Sequence, residues 1–199
     1  MREALNIAVY SGSFNPIHIG HLAIIRYLLE VAGFDKVYLI VSPKNPLKDS
    51  ISSDSGIARY NAALAAVNRH FADKADQEAC RETKVVVDDI ELTMPEPHYT
   101  IRTLDTLRER EPENTFTFVM GADSLADIRR WKDYDRILSE FGVAVYPRKG
   151  FDLDTIKADL QQESPSYSIT LLNAEMVDIS STTIREAIAQ GKDISDLLM

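Results

Sequence analysis

The chain is short of several things, and each shortage removes a class of protein. Cys80 is the only cysteine, so no disulfide can close within the chain, and a reducing, cytoplasmic setting is the expectation. No apolar run approaches the roughly 18–20 residues that span a bilayer. The first apolar stretch, Leu5 to Tyr10, is interrupted by Asn6 and reads as a strand rather than a secretion signal. No membrane association is expected. Gly and Pro number eight each, too few for a fibrous or low-complexity chain. Cations are in deficit, 22 Lys and Arg against 31 Asp and Glu for a net charge of −9. Proteins that wrap nucleic acid usually carry a basic face, so a nucleic-acid partner is not expected either. A few cations and backbone N–H groups converging in one place can still hold a small anion.

What is present is a 199-residue chain with 45% hydrophobic residues, which suits a single domain over residues 1–199 with its own core. Runs rich in β-branched and aromatic residues predict strands over 5–11, 36–42, 84–88, 115–121, 142–146 and 170–177. Apolar residues at helical spacing predict helices over 20–31, 57–71, 99–110, 152–162 and 181–190. Strand and helix alternate, and strands such as Lys36-Val-Tyr-Leu-Ile-Val are apolar almost throughout. That pattern predicts an α/β fold, a doubly wound and mainly parallel sheet with helices on both faces. Ligands of such sheets sit at the carboxyl ends of the strands.

The first strand runs into Ser11-Gly12-Ser13-Phe14-Asn15-Pro16-Ile17-His18-Ile19-Gly20-His21, and a helix follows. Small residues in such a turn let backbone amides approach an anion closely. His18 and His21, three apart at the helix start, face one space under the helix dipole. A metal shared between them is the other use of that spacing, but no nearby Cys or carboxylate completes a ligand set. No metal site is expected. Near the other end, Ser180-Ser181-Thr182-Thr183-Ile184-Arg185-Glu186 reads as a helix start, with Thr183 and Glu186 spaced as a capping box. It also presents hydroxyls, free N–H groups and a guanidinium to a phosphate. Between these segments, Asp123 follows the fourth strand and suits either a helix cap or sugar hydroxyls. Trp131, the only tryptophan, suits a core position or a stacking surface. Lys44 and Lys48 follow the second strand, where a phosphate is expected. His70, His98 and Cys80 are read as surface or packing residues.

GSFNPIHIGH resembles the (H/T)xGH signature of the nucleotidyltransferase superfamily, and Ser180–Arg185 resembles its SSTxxR motif. Gly121-Ala-Asp123-Ser-Leu with Trp131 resembles the GxDs…W element of nicotinate mononucleotide adenylyltransferases. His98-Tyr99-Thr100-Ile-Arg-Thr-Leu104 is similar to their SYTxxTL element. Glu91 and Pro147-Arg148 fall where that family has an acidic residue and an arginine-containing loop. The sequence also departs from the pattern. Ser11 and Asn15 stand for glycine and aspartate, and the Pro43–Lys48 loop is shorter than PxxxPPHK. Tyr146-Pro-Arg-Lys-Gly150 breaks the RPG order, so Arg148 receives no role here. The resemblance implies a Rossmann-like fold and adenylyl transfer from ATP to nicotinate mononucleotide, with Mg²⁺ carried mainly on the ATP phosphates. It implies catalytic roles for His18, His21 and Arg185. Gly12, Ser13, Phe14, Ser181 and Thr182 would complete the ATP site, and Lys44, Lys48, Tyr99, Thr100, Asp123 and Trp131 would hold the acceptor. The implied partners are these small molecules, with room for a homo-oligomer. Nicotinamide mononucleotide or phosphopantetheine as acceptor, or a non-catalytic nucleotide sensor, are the alternatives that the two phosphate motifs leave open.

Overall fold

The alternation of strand and helix closes into one parallel sheet in the order β3-β2-β1-β4-β5-β6. The computed structural model describes residues 3–43, 56–71, 83–174 and 179–199. The strands are β1 (Asn6–Gly12), β2 (Lys36–Val41), β3 (Val85–Asp88), β4 (Thr115–Gly121), β5 (Val143–Tyr146) and β6 (Ile169–Leu171). Chain order reverses direction across the sheet between β1 and β4, which pair in parallel from Asn6–Thr115 to Tyr10–Val119. This is the switch point at which such sheets open a crevice. The helices are α1 (Ile19–Glu30), α2 (Gly56–Phe71), α3 (Ile90–Thr93), α4 (Thr100–Arg110), α5 (Ala122–Ala126), α6 (Tyr134–Arg136), α7 (Leu153–Glu163) and α8 (Ser181–Ala189).

Successive strand residues face opposite sides, and the core divides accordingly. Ile7 and Val9 of β1 join Ile101, Leu104 and Leu107 of α4 and Leu160 of α7 on one face. Ala8 and Tyr10 join Leu22, Ile25 and Leu28 of α1 and Ala63, Ala66 and Val67 of α2 on the other. Among the described residues no helix is long and apolar enough to cross a membrane.

The expected sixth strand is shorter than its sequence, ending at Leu171. It is an edge strand with β5 as its neighbour, and its ladder stops where Val145 meets Leu171. Residues 175–178 of that expected strand, together with Lys44, Lys48 and Cys80, lie outside the described residues. Between β4 and β5 the chain forms short pieces that the sequence did not announce: α5, a 3₁₀ turn at Ile128–Arg130, α6, and a π-helical turn at Ile137–Phe141. None is long enough to display helical periodicity.

Candidate active site

At the carboxyl end of β1 the chain turns into α1, and the helix is capped by its own histidines. His18 is the N-cap residue; its Nδ1 accepts the Gly20 amide at 3.2 Å, and its own amide donates to His21 Nδ1 at 3.1 Å. A capping box ordinarily uses Ser or Thr with Glu or Gln; here two imidazoles do both jobs. The rings lie 3.7 Å apart between centroids, tilted by 34°. Because each Nδ1 is an acceptor, the proton of each neutral ring is on Nε2, which remains a donor. Burial, then the Arg148 charge, pushes the His18 pKa down to about 4. Burial, His18 and Arg148 together hold His21 well below the usual histidine range. At neutral pH both rings are therefore uncharged donors.

The loop before them is fixed from outside. Phe14 adopts a left-handed backbone, φ 43°, and its ring folds back so that a Cβ on Gly12 would meet it at 3.1 Å. The ring stands edge-on to Tyr10 and His21, with centroids 5.6 and 5.0 Å away. The loop carbonyls point away to three donors: Ser13 O accepts from Arg59 Nη1 at 2.6 Å, Asn15 O from Arg185 Nη1 at 2.8 Å, and Pro16 O from Ser181 Oγ at 3.1 Å. Arg59 is 4% exposed and also donates to the carbonyls of Ser42 and Pro43, at 2.8 and 2.9 Å. The two phosphate-like motifs, far apart in sequence, are thus bonded to each other. At the start of α8 the cap is Ser180, whose Oγ accepts the Thr183 amide at 3.1 Å, one residue ahead of the Ser181 start. Arg185 Nη2 donates to Thr182 Oγ1 at 3.1 Å, which leaves the Thr182 hydroxyl proton for another acceptor.

The opposite wall follows β4. A Cβ on Gly121 would strike the Asp123 carboxylate and the Tyr146 ring, so glycine lets both close over the strand end. Gly121, not Asp123, is the N-cap of α5. The Asp123 side chain is 57% exposed and lies 3.8 Å from Arg148 Nε. Half-buried Trp131 packs edge-on against Phe118, with centroids 5.9 Å apart. Tyr99 caps α4, but its amide is committed to Pro97 O at 3.0 Å. That leaves the following amide, of Thr100, as the helix-opening donor, since first-turn N–H groups have no acceptor within the helix. Gly12, Ser13, Phe14, His18, His21, Tyr99, Thr100, Asp123, Trp131, Ser181, Thr182 and Arg185 all border one cleft of about 570 Å³.

Sequence from residue 9 to 187 matches the cytidylyltransferase-like family. A probable nicotinate-nucleotide adenylyltransferase of Flavobacterium johnsoniae is 33% identical over 98% of this chain and 92% of its own length. One of Bacteroides fragilis is 38% identical over 94% and 83%. The chain belongs to the nicotinate-nucleotide adenylyltransferases of the cytidylyltransferase-like family. Its fold is shared with Plasmodium falciparum nicotinic acid mononucleotide adenylyltransferase complexed with NaAD, at a TM-score of 0.75 and 22% identity over 96% of this chain and 88% of that one.

The cleft of this nicotinate-nucleotide adenylyltransferase relative also holds residues to which the sequence assigned no role. Arg148 lies over the Tyr146 ring, 5.1 Å from its centroid, and borders the cleft. Its Nε is buried, with no hydrogen-bond partner among the described residues. Its place after β5 was the available signal. His98 borders the cleft beside Glu91, its buried Nδ1 without a hydrogen-bond partner among the described residues. Glu91 accepts from Thr103 Oγ1 at 2.9 Å, and burial raises its pKa against the opposing hydrogen bonds of Ser42 and Thr103. Arg59 left no signal, because its partners are carbonyls brought together only by the fold.

Proposed function

We propose that the chain transfers the adenylyl group of ATP to nicotinate mononucleotide, giving nicotinate adenine dinucleotide and pyrophosphate, a step of NAD biosynthesis in the cytoplasm. The observation that carries the reading is the pair of neutral Nε2–H donors at the switch point, bonded through one loop to the Ser181–Arg185 helix start. A 5′-phosphate oxygen of the mononucleotide attacks the α-phosphorus, the bond from that phosphorus to the bridging oxygen breaks, and pyrophosphate leaves with the electron pair. The nucleophile is already ionised at neutral pH, so no general base is required, and catalysis reduces to positioning and charge stabilisation.

In this reading His18 and His21 donate to the α- and β-phosphate oxygens, where charge grows. The amides of Gly12, Ser13 and Phe14 face the triphosphate. Ser181, Thr182 and Arg185 receive the departing pyrophosphate. Across the cleft Asp123 accepts ribose hydroxyls, Trp131 stacks on the pyridine ring, and the Thr100 amide meets the nicotinate carboxylate. Arg148, with its open donor, adds positive charge toward the acceptor's phosphate. Among the described residues the carboxylates bordering the cleft are Glu91 and Asp123, one bonded to Thr103 and the other facing Arg148. These residues fit magnesium held by the nucleotide's own oxygens and water. Bound there, it would neutralise triphosphate charge.

The test is pyrophosphate release with ATP and Mg²⁺ when nicotinate mononucleotide, nicotinamide mononucleotide and phosphopantetheine are offered separately. Preference for the first is expected. Preference for another acceptor would overturn the reading of the β4 wall, and ATP binding without release in any arm would favour a nucleotide sensor.

A further inference from the structure

Residues after α8 return to the two-histidine turn. Leu198 forms an antiparallel bridge with His18, the residue that takes part in both capping hydrogen bonds. Beside it Met199 is 5% exposed and belongs to the same buried cluster as Ile17, Leu22 and Ala66. The Met199 carbonyl accepts from Arg69 Nη1 at 3.1 Å, in the last turn of α2. A backbone bridge, a buried side chain and a guanidinium on one carbonyl restrain the same two residues. The cytidylyltransferase-like match ends at residue 187, ahead of these residues. Neither Leu198 nor Met199 borders the cleft among its described lining residues.

We propose that Leu198 and Met199 are positioning residues of the active site, a strap that fixes the His18 backbone and, through it, the aim of both imidazoles. The proposal rests on the adenylyl-transfer reading for its kinetic consequence alone. His18 gives its amide to His21 and takes the Gly20 amide on its own ring, so a shift of its backbone turns both Nε2–H donors together. Displacing a catalytic group by about 1 Å can cost on the order of 100-fold in rate. The bridge opposes such a shift from the side away from the substrates. Met199 anchors the bridge in the core, and Arg69 fixes the register of that anchor.

The experiment compares the full chain with a variant lacking residues 198 and 199, with Arg69→Gln, and with the volume-conserving Met199→Leu. Two readouts are taken: kcat and KM for ATP, and amide hydrogen exchange resolved by residue. Loss of residues 198 and 199 is expected to lower kcat about tenfold or more, while KM for ATP stays within about twofold. Exchange should accelerate at His18 and Gly20 and stay slow at Val9 and Leu39 in the central strands. Arg69→Gln should move the same quantities less, and the volume-conserving Met199→Leu should move them least of the three. Unchanged exchange at His18 and Gly20 would overturn the proposal. Equal acceleration in the central strands would do so too, since it marks general loss of core. The exchange readout needs no turnover. A wild-type chain inactive toward nicotinate mononucleotide would defeat the functional reading, and the strap would then stand or fall on exchange.

Discussion

The two walls of the cleft are built in opposite ways. On the β1 side the polar groups are already engaged: the imidazoles cap a helix, and the carbonyls of Ser13, Asn15 and Pro16 are held by Arg59, Arg185 and Ser181. On the β4 side Asp123 is largely exposed, Trp131 is half-buried, and Arg148 keeps a buried Nε without a hydrogen-bond partner among the described residues. The first wall is pre-organised, with its donors aimed before a ligand arrives, as stabilisation of developing charge requires. The second leaves its bonding capacity to be completed by the acceptor. Substitutions should therefore separate into those that damage turnover or folding and those that damage acceptor affinity alone.

The largest expected effect is on the built wall. His21→Ala removes a donor to the transferring phosphate and should lower kcat by about 100-fold or more, ~2.7 kcal/mol or above. Steady-state kinetics at saturating ATP would check it, and an unchanged kcat would take His21 out of the chemistry. Next comes Arg59→Ala, which strands three carbonyls in a nearly closed site. With about 1–3 kcal/mol for a buried group left unsatisfied, a loss on the order of 2–4 kcal/mol in urea unfolding is expected. A change under about 0.5 kcal/mol would show that the loop holds itself. On the open wall, Trp131→Ala should raise KM for the mononucleotide several-fold, through about 1 kcal/mol of lost stacking, and leave KM for ATP and stability nearly unmoved. A selective fall in ATP affinity would place the ring on the wrong substrate.

The smallest and most gradual effect separates the walls by pH. His18 and His21 have folded-state pKa values held below the ordinary 6.5, His18 at about 4. Their contribution to stability is therefore complete above about pH 6.5 and declines below it, that of His18 being lost as the pH falls through about 4. Protonation needs the Nδ1 atoms that accept the capping amides, so helix start and donor geometry should fail together. Unfolding monitored from pH 7 to pH 4 should show a loss that shrinks in a His18→Ala, His21→Ala double variant; an identical pH profile in the double variant would refute the assignment.

Much of the fold was legible because its signals are local. The apolar runs of β1, β2 and β4 and the periodicity of α1, α2 and α4 each sit within one segment. The histidine pair and the Ser181–Arg185 start were legible for the same reason. What escaped was non-local or too short to repeat. Arg59 is defined by carbonyls from the loops after β1 and β2, and Arg148 by a ring at the end of β5 and a carboxylate in α5. The bridge at Leu198 joins residues at opposite ends of the chain. The short turns over 128–141 have no period to read, and nothing in the sequence shows that Pro97 O takes the Tyr99 amide.

The histidine capping box also bears on which amino acids each of its two positions tolerates. Residue 18 needs an acceptor close to its own backbone for the Gly20 amide, and a threonine hydroxyl offers one. The signature that GSFNPIHIGH resembles allows threonine there. Residue 21 must accept the His18 amide behind it and present a donor in front, across a rigid span. Imidazole carries an acceptor and a donor on opposite edges of one ring, and among uncharged side chains that combination has no substitute of the same reach. The first position is open to exchange within a small alphabet, whereas the second is limited to a single letter.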